Sequence, residues 1–100
     1  MEQFEEAIEK FKEAVQQMPD NAQIWCSWGV ALVELQQFEE AVGKFDQAIK
    51  HQPDLVTAWF GYGLALMALG RKEEAAEKFR KALEIAPELA RELSGPECMI

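Results

Sequence analysis

Positive charge is scarce in this chain: ten lysines and arginines stand against eighteen acidic residues, for a net charge of −8 over 100 residues. A protein that neutralises phosphates needs clustered Lys and Arg, and the ten here are interleaved with acids, so nucleic acid is excluded as a partner. Cysteine is equally thin. Cys26 and Cys98 are too few and too far apart for a metal-ligand or C-x-x-C spacing, and they suggest one packed thiol and one thiol in a tail. A disulfide framework is not supported. Histidine occurs once, as His51 at the end of a helical segment, which suits a solvated imidazole at the negative end of a helix dipole. There is no Ser-His-Asp or Cys-His constellation and no glycine-rich phosphate loop, so the expectation is a protein that is not an enzyme and needs no cofactor or metal. No apolar run approaches the length of a membrane span. The first residues, Met-Glu-Gln-Phe-Glu-Glu, are acidic where a secretory signal is basic and then apolar. A cytoplasmic protein, or a piece of a longer one, is the expectation.

What the chain has in plenty is itself. Gln3-Phe4-Glu5-Glu6-Ala7 returns as Gln37-Phe38-Glu39-Glu40-Ala41, 34 residues later, and a further step of 34 reaches Arg71-Lys72-Glu73-Glu74-Ala75. The same step relates Phe11, Phe45 and Phe79, then Ala14, Ala48 and Ala82, then Pro19, Pro53 and Pro87, and it pairs Trp25 with Trp59 and Gly29 with Gly63. Self-similarity at a fixed period of this size marks stacked repeats, since each unit is too small to bury its own apolar face. The recurring glutamate pairs invite comparison with catalytic carboxylates, but recurrence at one helix-start position makes them helix-stabilising surface residues.

Within each unit the apolar spacing is helical. Phe4, Ala7, Ile8, Phe11, Ala14 and Val15 fall at steps of three and four, and the stripe returns as Phe38, Ala41, Val42, Phe45, Ala48 and Ile49. It returns again through Ala75, Ala76, Phe79, Ala82 and Leu83. Each of these helices is predicted to stop before a proline. The segments between them, Ile24 to Leu35 and Ala58 to Leu69, are apolar nearly all round, which predicts helices sandwiched between others. Asp20-Asn21 and Asp54 are placed to cap them. The turns at Leu35-Gln36-Gln37 and Leu69-Gly70-Arg71 are short enough for tight antiparallel hairpins, with Gly70 suited to a left-handed turn that Gln36 must make without glycine.

Trp25, Trp28, Gly29, Leu32, Ala41, Phe45, Ala48 and Pro53 resemble the tetratricopeptide repeat pattern W-x2-L-G-x2-Y…A-x3-F…P, and Trp59, Tyr62, Gly63, Leu66, Ala75, Phe79, Ala82 and Pro87 resemble it again in register. Trp28 and Tyr62 stand where leucine is usual, and Leu32 and Leu66 where tyrosine is; all keep large apolar groups at those sites. The resemblance implies an all-α superhelix, a solenoid of antiparallel helix hairpins. It divides residues 1–93 of one domain into the second helix of an incomplete repeat (1–21) and two full repeats (22–55 and 56–89); residues 88–93 are a candidate capping helix, on which Leu89 and Leu93 would cover the last hairpin, the other candidates for completing the stack being a partner molecule and an upstream segment. Residues 94–100 are expected to be a flexible tail.

The resemblance also implies a concave surface on which members of the family hold peptides or partner helices. Its positions map onto Gln23, Cys26, Ser27, Val30, Val33 and Glu34, and onto Thr57, Phe60, Gly61, Leu64, Met67 and Ala68. Some members grip a C-terminal carboxylate with Lys, Arg and Asn at such positions, and none of those residue types stands here. Cys26, Val30, Val33, Phe60, Leu64 and Met67 would instead make an apolar strip. Val33 and Met67 admit either a groove or a core reading, while Phe60 and Cys26 are assigned to the groove. The expected function is a non-catalytic protein-interaction module that receives a peptide or amphipathic helix in an apolar groove, with basic residues on the partner favoured by the net charge. The alternative is a self-assembling, homo-oligomeric scaffold element built through the exposed repeat ends.

Overall fold

A computed structural model describes residues 2–88, which form five α-helices: α1 (Glu2–Gln17), α2 (Ala22–Glu34), α3 (Phe38–His51), α4 (Val56–Ala68) and α5 (Lys72–Ile85). No strand occurs among the described residues. The proposed capping helix and tail lie outside them. As their spacing predicts, α1, α3 and α5 end before Pro19, Pro53 and Pro87.

The two hairpin turns close in the same way. Gln37 N–H donates to the Leu32 carbonyl and Gln36 N–H to that of Val33, and Arg71 and Gly70 repeat the pair onto Leu66 and Met67. This double bond returns the chain through one left-handed residue. Gly70 takes that place at φ +81°, and Gln36 takes it at φ +62° with the strain of a side chain there. At the helix starts the equivalence breaks down. Asn21 caps α2, its side-chain oxygen accepting from Gln23 and Ile24 N–H at 3.0 and 3.3 Å. Leu55 occupies the matching position before α4 and makes no side-chain cap. Asp54, expected to cap, stands one residue too early, and the cap site has gone to a leucine that is buried in the core.

The helices form two layers. In one, α2 and α4 touch each other; in the other lie α1, α3 and α5, with α1 against α2, α3 against both α2 and α4, and α5 against α4. Among the described residues, α1, α3 and α5 make no comparable contact with one another. The stack therefore closes on the α2–α4 side and opens on the other, which makes the α2–α4 side the inside of the curve. The core is the repeated signature: Leu32, Ala41, Phe45, Ala48, Ala58, Ala65 and Leu66 are all 1% exposed or less. Alanines let the layers approach, and Phe45 fills the space between successive hairpins. Trp25 and Trp59 each turn the indole N–H back to the carbonyl of the preceding proline, Pro19 at 2.8 Å and Pro53 at 2.7 Å, tying each inter-hairpin loop to the helix after it.

Gly43 is the one helical glycine that nothing crowds: a methyl group there meets no atom within 4 Å, and the residue is exposed in mid-α3. Gly43→Ala is expected to stabilise the fold by about 0.5–1 kcal/mol, the difference in helix propensity. A urea melt checks it, as a raised midpoint with an unchanged slope.

Candidate functional site

The inner side of the stack carries three of the four large apolar side chains that are most exposed, Val30 on α2 (41%) and Leu64 and Met67 on α4 (each 45%). Helical steps put Leu64 and Met67 on one face of α4. Contact between α2 and α4 brings Val30 to the same surface. Gln23, Thr57 and Glu34 are also exposed and give the strip a polar rim with one negative charge. Val33 is half-buried and packs on the core, so it serves as the strip's floor as much as its surface.

Two of the mapped positions belong elsewhere, and a third faces the groove only in part. Cys26 is only 3% exposed and is part of the core, so the groove assignment made for it is corrected. Its thiol is shielded enough that burial pushes its pKa above the ordinary thiol value. Gly61 is buried, because its Cα lies against the Phe45 ring and not on the open face. Phe60 is half-buried and leans on Phe79, with ring centroids 5.3 Å apart at a 58° tilt, so it spans groove and hairpin interior. Sequence position alone does not separate these three from their exposed neighbours, since each is small or apolar and sits one helical step from the strip.

One recurrent feature, not anticipated from the sequence, joins the two layers. Trp25 and Trp28 stack at 5.6 Å and 9°, and Lys44 of α3 lies over Trp28 at 4.1 Å. In the next hairpin Lys78 of α5 lies over Tyr62 at 4.7 Å and Trp59 at 5.7 Å. The signal was available, because Lys44 and Lys78 are themselves 34 residues apart. These cation–π contacts fasten the two helices of each hairpin.

Among the described residues no group of three or more His, Cys, Asp or Glu is placed to hold a metal ion, and no helix is long and apolar enough to cross a membrane. A shallow, open depression lies where the hairpin turns meet, lined by Gln36, Gln37, Phe38, Glu39, Glu40 and Leu69. The glutamate pairs at the starts of α3 and α5 are exposed. Glu74 accepts a two-pronged bond from Arg71 at 2.8 Å on both arms, and that bond holds its carboxyl below the usual range.

Stacked hairpins, buried alanine–aromatic seams and an apolar inner face define a helical repeat solenoid of the kind that mediates contacts between proteins. Residues 26–90 match a tetratricopeptide repeat family model and residues 1–36 match a second model of the same repeat. The chain belongs to the tetratricopeptide repeat family. Among solved structures it is similar to the TPR domain of Arabidopsis OM64, with 31% identity and a TM-score of 0.84 over 87% of this chain and 72% of that one. It is similar to the second TPR of Spaghetti (RPAP3), captured with an HSP90 peptide, SRMEEVD, at 28% identity and a TM-score of 0.81 over 82% and 76% of the two chains. It is also similar to MamA MSR-1, at 26% identity and a TM-score of 0.80, over 86% of this chain and 49% of that one. The chain thus spans about half the length of that MamA structure. No curated protein gives a significant match.

Proposed function

We propose that the chain is a non-catalytic protein-interaction module whose α2–α4 face receives an amphipathic helix through Val30, Leu64 and Met67. The observation that carries this reading is the exposure of those three apolar side chains, 41–45%, on the inside of the curve. Helix-in-groove recognition suits such a strip, and the unbranched Met67 adapts to differently shaped partners. The Spaghetti neighbour holds an HSP90 peptide that ends in acidic residues. That ligand chemistry transfers poorly. The mapped face here has Glu34 and neither Lys nor Arg, so a carboxylate-rich end would find no cation. A partner helix with an apolar stripe and basic flanks fits better, with the −8 net charge speeding its approach more than tightening its hold. A cytoplasmic setting is part of the same proposal.

The test is selection of amphipathic helical peptides of about eighteen residues, long enough to cross both inner helices, followed by affinity measurement on the wild-type chain and on Leu64→Glu/Met67→Glu. The doublet is expected to weaken the selected peptides by about tenfold or more, because each glutamate must lose water to stay in the interface. Both sites are 45% exposed, so the melting curve should barely move. Equal affinity for the two chains would remove the α2–α4 face as the binding surface.

A further inference from the structure

Helices α3 and α5 start alike, but only α5 starts with an arginine. Arg71 stands just before α5 and binds Glu74, three residues on, with Nε and a terminal guanidinium nitrogen each 2.8 Å from a carboxylate oxygen. One period earlier the same two places are filled by Gln37 and Glu40, just before and on α3. Glutamine carries no charge and cannot make that fork. Glu39 and Glu40 are exposed, and among the described residues neither is bonded to a cation. Glu40 therefore repeats a carboxylate whose arginine the chain supplies at the second turn and not at the first.

Beside Glu40 there is room for one. The depression where the two hairpin turns meet has a volume of about 290 Å³. Phe38 and Leu69, both half-buried, form its apolar part, and Gln36, Gln37, Glu39 and Glu40 form its polar part. An arginine uses both: a carboxylate for its planar fork, an apolar wall for its methylene stem, and an aromatic ring for the guanidinium face. The surroundings are negative. Helices α2 and α4 both end here and present the negative ends of their dipoles, and Glu34 closes α2. Arg71 stands near enough across the gap to feel Glu39, but its own fork is closed on Glu74. The depression also continues the apolar strip, since Gln36 follows Glu34 by two residues and Leu69 follows Met67 by two.

We propose that this depression receives an arginine side chain of the partner protein, its guanidinium forked onto Glu40 and its stem laid across Phe38 and Leu69. The proposal deepens the α2–α4 reading and rests on it for the rest of the partner: the basic flank lies at the turn end of the groove, so the partner helix binds in one orientation. Gln23 and Thr57, at the other end of the strip, are uncharged and sit at the positive ends of α2 and α4. Lysine is a poorer fit, because a single ammonium cannot fork onto a carboxylate.

The first probe is N-acetyl-arginine amide, titrated into the isotope-labelled full chain and followed by backbone amide shifts, with N-acetyl-lysine amide at the same concentrations as control. Saturable shifts are expected at residues 36–40 and 69, with tighter binding for arginine than for lysine. Glu40→Gln should weaken the arginine probe about three- to fivefold, the size of an exposed ion pair. Glu13→Gln removes the same charge from an exposed site on α1 and should leave it unchanged. No shifts, shifts alike for the two amides, or shifts that ignore Glu40→Gln overturn the proposal. So does saturation that appears only in Arg91→Gln, which gives the place to the chain's own arginine, or a concentration-dependent dimer that Glu40→Gln dissolves, which gives it to a second copy. The second probe is a peptide selected on the α2–α4 strip, in which arginine→lysine at one end should cost affinity for the wild-type chain and not for Glu40→Gln. If such peptides ignore that exchange, the proposal falls and the α2–α4 reading stands. If no peptide binds the strip while the arginine amide still binds at Glu40, that reading falls and the arginine site stands.

Discussion

Phe45→Ala is expected to cost about 3–5 kcal/mol, the range for removing a large aromatic side chain from a filled core. The ring is 0% exposed and touches both inner helices, with Gly29 of α2 and Gly61 of α4 both close to its Cε1 and Cζ atoms. It is therefore the point at which α3 joins its own hairpin to the next. A domain of this size has about 5–15 kcal/mol of stability in all, so the variant should keep its helices only marginally. In thermal melts followed by circular dichroism the midpoint should fall by roughly 12–40 °C, if each kcal/mol is worth about 4–8 °C. Phe79→Ala is the internal control. Phe79 occupies the same position one period later but is only half-buried, with Gly63 and the tilted Phe60 ring beside it. Its loss should cost clearly less. Equal costs at the two sites would mean that the Phe45 clamp between hairpins is not what joins them.

That asymmetry was invisible in the sequence, where Phe45 and Phe79 read alike. The helices, their proline stops and the two left-handed turns at Gln36 and Gly70 were legible because local chemistry sets them: apolar steps of three and four, a fixed φ at proline, and short connections. The seam residues were legible because the period repeats them. What the sequence could not supply is which neighbour a residue meets across the stack. Cys26 and Val30 lie four residues apart on α2 and both map to the inner face, yet one is 3% exposed and the other 41%. The difference lies in the packing of α1 and α4 around α2, and no residue of α2 encodes it alone. Asp54 failed as a cap for a related reason, since the position that counts is filled by Leu55, which the core requires.

Gly61 is the sharpest instance, and it carries the second large effect. A methyl group added there would stand 2.5 Å and 2.7 Å from two ring carbons of Phe45, well inside the 3.4–4 Å of ordinary contact. The ring has nowhere to retreat, because Gly29 already presses it from α2, where a methyl group would also come within 2.8 Å. The chain must respond by moving α4 away from α3. Gly61→Ala is accordingly expected to destabilise the fold by about 1–3 kcal/mol, against the usual gain from replacing a helical glycine. Gly43→Ala, the same change in open space on the neighbouring helix, should have the opposite sign. Gly61→Ala/Phe45→Leu is expected to recover part of the loss, since the smaller side chain gives back the space that the methyl group takes; no recovery would place the strain in the backbone instead. The consequence for function follows from the same geometry. Val30 sits on α2 while Leu64 and Met67 sit on α4, so any displacement of α4 divides the apolar strip. A peptide selected on the wild-type strip should lose affinity for Gly61→Ala by several-fold even where the chain is fully folded, although Gly61 itself is buried and touches no ligand.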